Sequence, residues 1–190
     1  VEAPLILTVP GLWNSGPQHW QTLWEQSLSD CHRIEQSEWA APLCDDWVAN
    51  IDAAVTRAGD VPIFLAAHSA GCIAVAHWAL KSGAKGVRGA LLVAPADSER
   101  EGYPEAARGF RPIRLGKLPF PSVVVASNDD PWLNIDRARY FAEGWGSRFV
   151  NIGTGGHINA DAGFGPWPQG EQLLQELISS NNGENDDSFS

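Results

Sequence analysis

The sequence predicts an α/β protein with a mostly parallel central sheet and helices on both faces. Three observations carry this reading. Short apolar runs alternate along the chain with longer segments of helical periodicity. No hairpin signal joins neighbouring runs, so they are connected by crossovers rather than tight turns. The chain has 190 residues, 44% of them hydrophobic and 19% charged, which suits one domain with a sizeable core.

The elements follow in order. Leu5 to Val9 is a short apolar run ended by Pro10-Gly11, the pattern of a buried strand feeding a loop. Over 17–28, Trp20, Leu23, Trp24 and Leu28 fall on one helical face. A weak strand is expected over 31–36. Leu43, Trp47, Ile51, Ala54 and Val55 give an amphipathic helix closed by Gly59. Residues 63–67 are fully apolar and lead directly into 70–80, a segment apolar on nearly every face. Such a helix belongs inside a protein, packed on a sheet. Further strands are expected over 90–94, 122–126 and 148–152, with helices over 135–142 and 169–179. The stretch 96–120 holds Pro104, Pro112 and Pro119 with little periodicity and reads as a loop excursion. The expected organisation is a single domain over 1–180 and an acidic, polar, flexible tail over 181–190.

Acids number 23 and bases 13, for a net charge of −10. Nucleic-acid binding needs a basic footprint, so no nucleic-acid partner is expected. No run of 18 apolar residues occurs, which argues against membrane insertion. The start lacks a basic segment followed by a long apolar one, so nothing suggests secretion. Cys31, Cys44 and Cys72 cannot all pair and show no metal-binding spacing, so no metal is expected. Reduced thiols in a cytoplasmic protein are the simplest reading. Nine Trp in this length imply aromatic packing or an aromatic-lined pocket.

The chemistry gathers at strand ends. Ala67-His68-Ser69-Ala70-Gly71 lies where an apolar strand turns at once into an apolar helix. That is the context of the nucleophile elbow, Gly-x-Ser-x-Gly, whose tight turn lifts a Ser hydroxyl out of the sheet. Ala67 replaces the first Gly but stays small. Ser is also a favoured helix N-cap, so a purely structural Ser69 is the alternative. A Ser nucleophile needs a base, and the base an orienting acid, each after a later strand. The strand ending at Ala126 leads to Ser127-Asn128-Asp129-Asp130-Pro131, and a later one to Gly153-Thr154-Gly155-Gly156-His157. Ser69, Asp130 and His157 thus occur in the chain order of an α/β hydrolase. Asp130 is favoured over Asp129 because Pro131 restricts its backbone, while Asp129 suits turn hydrogen bonds. The other histidines read as structural: His77 on the buried helix, His19 and His32 early in the chain, His68 as the variable elbow residue. An oxyanion would be met by the Ala70 N–H at a helix N-terminus and by the Leu12 N–H, with Trp13 as second choice.

These residues resemble the retinoblastoma-binding protein 9 / YdeN family of small serine hydrolases, its bacterial branch most closely. The matching stretches are 9–20 (Val-Pro-Gly-Leu-Trp-Asn-Ser-Gly-Pro-Gln-His-Trp), Asp46-Trp47, 67–71, 127–131, Gly156-His157-Ile158-Asn159 and Trp167-Pro168. They spread over 4–178. The resemblance implies a compact α/β-hydrolase fold with no substantial cap domain, Ser69, Asp130 and His157 as triad, no cofactor, and esterase-type activity on small acyl esters. A retinoblastoma-type partner is not carried over. The Leu-x-Cys-x-Glu motif is absent, since Ser29, Pro42 and Ala70 stand two before the cysteines. A protein partner is left unassigned.

With 96–120 lacking helical periodicity, an open, shallow site is expected. Trp13, Trp39 and Trp132 stand near strand ends as candidate pocket walls. Arg100, Arg108, Arg111 and Arg114 offer charge for an anionic substrate group, though a solvated loop explains them more simply. A small-molecule ester is the expected substrate, with amide or thioester bonds as chemical alternatives. A non-catalytic binding module on the same fold is the competing class. Dehalogenation is excluded, because it needs Asp where Ser69 stands.

Overall fold

A computed structural model describes residues 3–183. Among them, six strands form one sheet in the order β2-β1-β3-β4-β5-β6, every neighbouring pair parallel. The strands are β1 (Leu5–Val9), β2 (Cys31–Arg33), β3 (Ile63–His68), β4 (Val87–Val93), β5 (Ser122–Ala126) and β6 (Arg148–Asn151). Five helices connect or flank them: α1 (Trp20–Ser27), α2 (Cys44–Ala58), α3 (Ala70–Ser82), α4 (Ile135–Trp145) and α5 (Pro168–Gly183). The expected fold class is what the structure has. None of these helices is long and apolar enough to cross a membrane.

Side-chain alternation along the strands separates two cores. Ile63, Leu65 and Ala67 of β3, with Leu92 and Val124, face a cluster built from α2, α3 and α4. Phe64, Ala66, Leu91 and Val123 face the opposite cluster, built from α1 and α5. The Trp excess is mostly packing. Trp20, Trp24, Trp47, Trp78 and Trp145 are fully buried, and Trp167 joins Trp20 and Trp24 at ring-centroid distances of 5.3 and 6.0 Å.

Some boundaries differ from the sequence reading. β4 starts at Val87 because Val87 and Gly89 pair with Ile63 and Phe64. Gly89 hides that pairing in the sequence, yet an added Cβ there would sit 3.0 Å from the Phe64 ring. α1 begins at Trp20, where His19 Nδ1 accepts the Gln21 N–H at 3.1 Å and caps the helix. α5 runs on through residues 181–183, the first three of the expected tail; 184–190 lie outside the described residues.

The 96–120 excursion lacks regular elements but is firmly tied down. Tyr103, Phe110, Ile113 and Phe120 belong to the α2–α3–α4 core, and Phe110 is fully buried. A parallel bridge joins Leu43 to Arg108, Ser98 donates to the Phe110 carbonyl at 2.6 Å, and Trp145 donates to that of Arg114 at 2.8 Å. Arg137 of α4 grips both Asp97 oxygens at 2.7 and 3.0 Å and Glu99 at 2.6 Å. Periodicity gives no sign of this packing, because the partners are distant in sequence.

One close approach sets the geometry at the head of α3. A Cβ on Gly71 would lie 2.2 Å from the Val9 carbonyl oxygen and 2.6 Å from that of Pro10. Only hydrogen fits there, so α3 starts directly against the end of β1. Gly71→Ala should therefore lower stability by about 3 kcal/mol or leave the protein insoluble, measured by thermal unfolding. Phe110→Ala should cost about 3–5 kcal/mol, as for any core aromatic. A urea-melt loss under about 1 kcal/mol would instead mark the excursion as a loosely attached loop.

Candidate active site

The site lies at the carboxyl ends of β1, β3, β5 and β6, where the strand order reverses between β1 and β3. Ser69 follows β3 with φ 56° and ψ −125°, a conformation few non-glycine residues adopt. It occupies the N-cap position of α3, yet its side chain makes no capping bond. Its Oγ instead lies 2.8 Å from His157 Nε2. Capping alone does not account for Ser69.

His157 Nδ1 lies 3.0 and 2.9 Å from the two oxygens of Asp130. Since a carboxylate only accepts, Nδ1 carries the proton and Nε2 turns its lone pair to Ser69. The Asp130 carboxylate is fully buried and also accepts the Trp132 N–H at 2.8 Å. The neighbouring Asp129 does something else. One of its oxygens accepts the N–H groups of Gly155 and Gly156 at 2.8 and 2.9 Å. These two amides hold its carboxyl below the usual range. Asp129 thus holds the loop that carries His157. Because its folded pKa is depressed, this contribution is full above the ordinary carboxylate range and fades as pH falls through the lowered value.

The loop after β1 presses on the elbow. A Cβ on Gly11 would meet the Ser69 Cβ at 2.8 Å and the Ala70 nitrogen at 3.2 Å. Among the described residues, neither the Leu12 nor the Ala70 N–H donates to a protein acceptor. The Trp13 N–H is taken, donating to the Trp39 carbonyl at 2.9 Å. That removes Trp13 as the alternative backbone donor.

Ser69 and His157 open into a cavity of about 250 Å³ that Leu12, Trp13 and Trp132 also line. Trp13 is 61% exposed at its rim and has φ 63°, a strained value for a bulky side chain. Trp39 does not line the cavity, a correction to the sequence reading. Its ring packs edge-on to Trp47 at 5.6 Å, and its carbonyl steadies Trp13 from behind. None of the four excursion arginines lines the cavity; Arg100 lies over the Trp132 ring, 5.2 Å from its centroid.

Among the lining residues that escaped the sequence reading are His19, His68 and Tyr103, together with Asn14, Asn159 and Asp161. His68 Nε2 lies 2.8 Å from the His157 carbonyl oxygen. Burial drives His68 well below the ordinary histidine range and His19 down to about 3, with Arg33 adding to the latter. Both are therefore neutral at physiological pH. The run Gln18-His19-Trp20 carried a usable signal, a polar residue beside a core Trp where a helix begins. Tyr103, inside the excursion, carried none.

The family model described as serine hydrolase matches residues 6–176. A search of curated proteins found no match. Among solved structures, the chain is similar to a protein described as a YdeN-like hydrolase from Pectobacterium atrosepticum. The two share 35% identity over 93% of this chain and 91% of that one, with a TM-score of 0.82. The ydeN gene product of B. subtilis is 20% identical over 93% of this chain and 100% of that one, with a TM-score of 0.73. Est1E from Butyrivibrio proteoclasticus, in a structure with ferulic acid bound, shares the fold at 15% identity, 94% and 90% coverage and a TM-score of 0.70. With the family model spanning most of its length, and a relative more than a third identical along nearly all of it, the chain belongs to the serine hydrolase family.

Proposed function

We propose that this serine hydrolase cleaves small carboxylic esters through an acyl-enzyme, with Ser69 as nucleophile, His157 as base and Asp130 as the orienting acid. The observation that carries the reading is the unbroken chain of hydrogen bonds from Ser69 through His157 to Asp130. A binding module has no need of this alignment.

In the proposed course, Ser69 Oγ attacks the ester carbonyl as its proton passes to His157 Nε2. The buried Asp130 carboxylate stabilises the imidazolium so formed. The developing oxyanion sits between the Leu12 and Ala70 N–H groups, with the dipole of α3 behind Ala70. Collapse expels the alcohol, which takes the proton back from Nε2. Water, deprotonated by the same nitrogen, then attacks the acyl-enzyme and releases the acid and free Ser69. Amides and thioesters would pass through the same steps.

The cavity argues for small substrates, since about 250 Å³ lies below the roughly 300–1,000 Å³ of most ligand pockets. Trp13 and Trp132 would flank the bound ester. The cytoplasm is the compartment proposed. Cys31, Cys44 and Cys72 are all buried and unpaired, with burial pushing the first two up to about 12 and Cys72 well above its ordinary value.

Ser69→Ala should abolish labelling by a fluorophosphonate probe; labelling that persists at another residue overturns the assignment. Asp130→Asn should lower kcat on p-nitrophenyl acetate by roughly 10⁴-fold, because an amide favours the wrong His157 tautomer. Asp129→Asn should cost much less, roughly 10-fold or under, since it loosens a loop without touching the imidazole. Steady-state kinetics of the pair decide between the two acids, and the reverse order would exchange their roles.

A further inference from the structure

The loop carrying His157 is held at every peptide group from 155 to 158. The Gly155 and Gly156 N–H groups donate to Asp129. The next three carbonyls, of Gly156, His157 and Ile158, each accept a side-chain donor. These are the Ser127 hydroxyl, His68 Nε2–H at 2.8 Å and Trp20 Nε1–H at 3.0 Å. Such holding is needed. Ile158 is β-branched, fully buried and has φ 48°, a conformation that persists only where its surroundings impose it.

His68 differs from the other clamps in its place in the chain. Its backbone runs directly into Ser69, while its side chain grips the main chain of His157 itself. One residue therefore touches both partners of the 2.8 Å Ser69–His157 contact. A carbonyl can only accept, so Nε2 carries the proton and His68 donates. The ring is fixed from both sides: His19 meets it edge-on at 4.7 Å and Trp20 at 6.1 Å, with the His157 ring at 4.8 Å. His19 is itself held in place by accepting the Gln21 N–H.

We infer that His68 is a positioning residue for the Ser69–His157 pair: its Nε2–H, bound to the His157 carbonyl, sets the distance between nucleophile and base. This rests on the reading of Ser69 and His157 given above. Because His68 stays neutral, it holds the loop without placing a second cation beside the imidazolium of the acylation step.

The test compares three full-length variants on p-nitrophenyl acetate. His68→Gln sets an amide N–H where Nε2 stands, His68→Asn is too short to reach the carbonyl, and His68→Phe keeps a ring without a donor. Asn and Phe should lower kcat roughly 10–100-fold with KM within about twofold of wild type, the mark of a misplaced reacting pair rather than lost binding. Gln should recover at least about fivefold over Asn. The downfield proton resonance of the His157–Asp130 hydrogen bond, identified by its loss in Asp130→Asn, should persist in Gln and broaden away in Asn. A general loss of stability would not separate Gln from Asn in this way. If Phe does not fold, the Gln–Asn comparison decides alone.

Equal kcat and equal resonances in Gln and Asn, or wild-type kcat in Phe, overturn the inference. Ser69→Ala is run alongside. Turnover surviving in Ser69→Ala refutes the nucleophile reading, and with it the premise of the inference. Turnover that needs Ser69 but is indifferent to His68 refutes the positioning role alone.

Discussion

The absence of a side chain at Gly71 is the constraint on which the site depends, because it lets α3 begin in space that the end of β1 already occupies. With the Val9 and Pro10 carbonyls where a Cβ would stand, the chain must turn between β3 and α3 within about one residue. That residue is Ser69, and its positive φ is the conformational cost of the turn. The same approach brings the loop after β1 against the elbow, so that Gly11 must also lack a side chain. The placement of Ser69 and of the Leu12 and Ala70 N–H groups, which donate to no protein acceptor among the described residues, depends on this close approach.

Electrostatics follow a matching economy. Of the groups that meet the imidazole of His157, only Asp130 is a carboxylate; the other carboxylate of the cavity, Asp161, is exposed. Burying a lone carboxylate would cost several kcal/mol. Asp130 escapes this by accepting both His157 Nδ1–H and the Trp132 N–H. His19 and His68 are kept neutral by burial and serve as a cap and a donor. Keeping two imidazoles neutral beside a third confines the changes of charge in the proposed reaction to the imidazolium of His157 and the oxyanion formed with it. Little surrounding structure then has to reorganise as these charges develop.

What was legible in the sequence follows the range of the forces involved. The strand runs of β1, β3 and β5, and the all-round apolar α3, report local patterns that survive into the fold. Ser69, Asp130 and His157 were legible because each stands on the turn or loop that follows a recognisable strand, and the structure brings their side chains together. His68 was not. Its part depends on a hydrogen bond to a residue 89 positions away, which no local pattern encodes. Trp39 was misplaced for the converse reason: proximity to a strand end is local, but the direction of its ring is set by Trp47. The excursion over 96–120 looked loose because irregular backbone carries no period, although its aromatic residues are as buried as those of the helices.

That burial also bears on how the proposed hydrolase would select its substrate. A lid must be able to leave, so its contacts must be few and weak. The excursion stands where a cap domain is usually inserted, but Phe110 and Phe120 are committed to the core, and Arg137 ties its first turn to α4. It supplies Tyr103 to the cavity from a fixed position. Trp13 is an exposed wall, and even its backbone is pinned by the Trp39 carbonyl. With walls that do not close around a ligand, discrimination must come from fit to a cavity of set size, where each excess methylene costs about 1–3 kcal/mol. In the proposed hydrolase a compact site of this kind would favour short acyl groups by exclusion, without the conformational step that a lid requires.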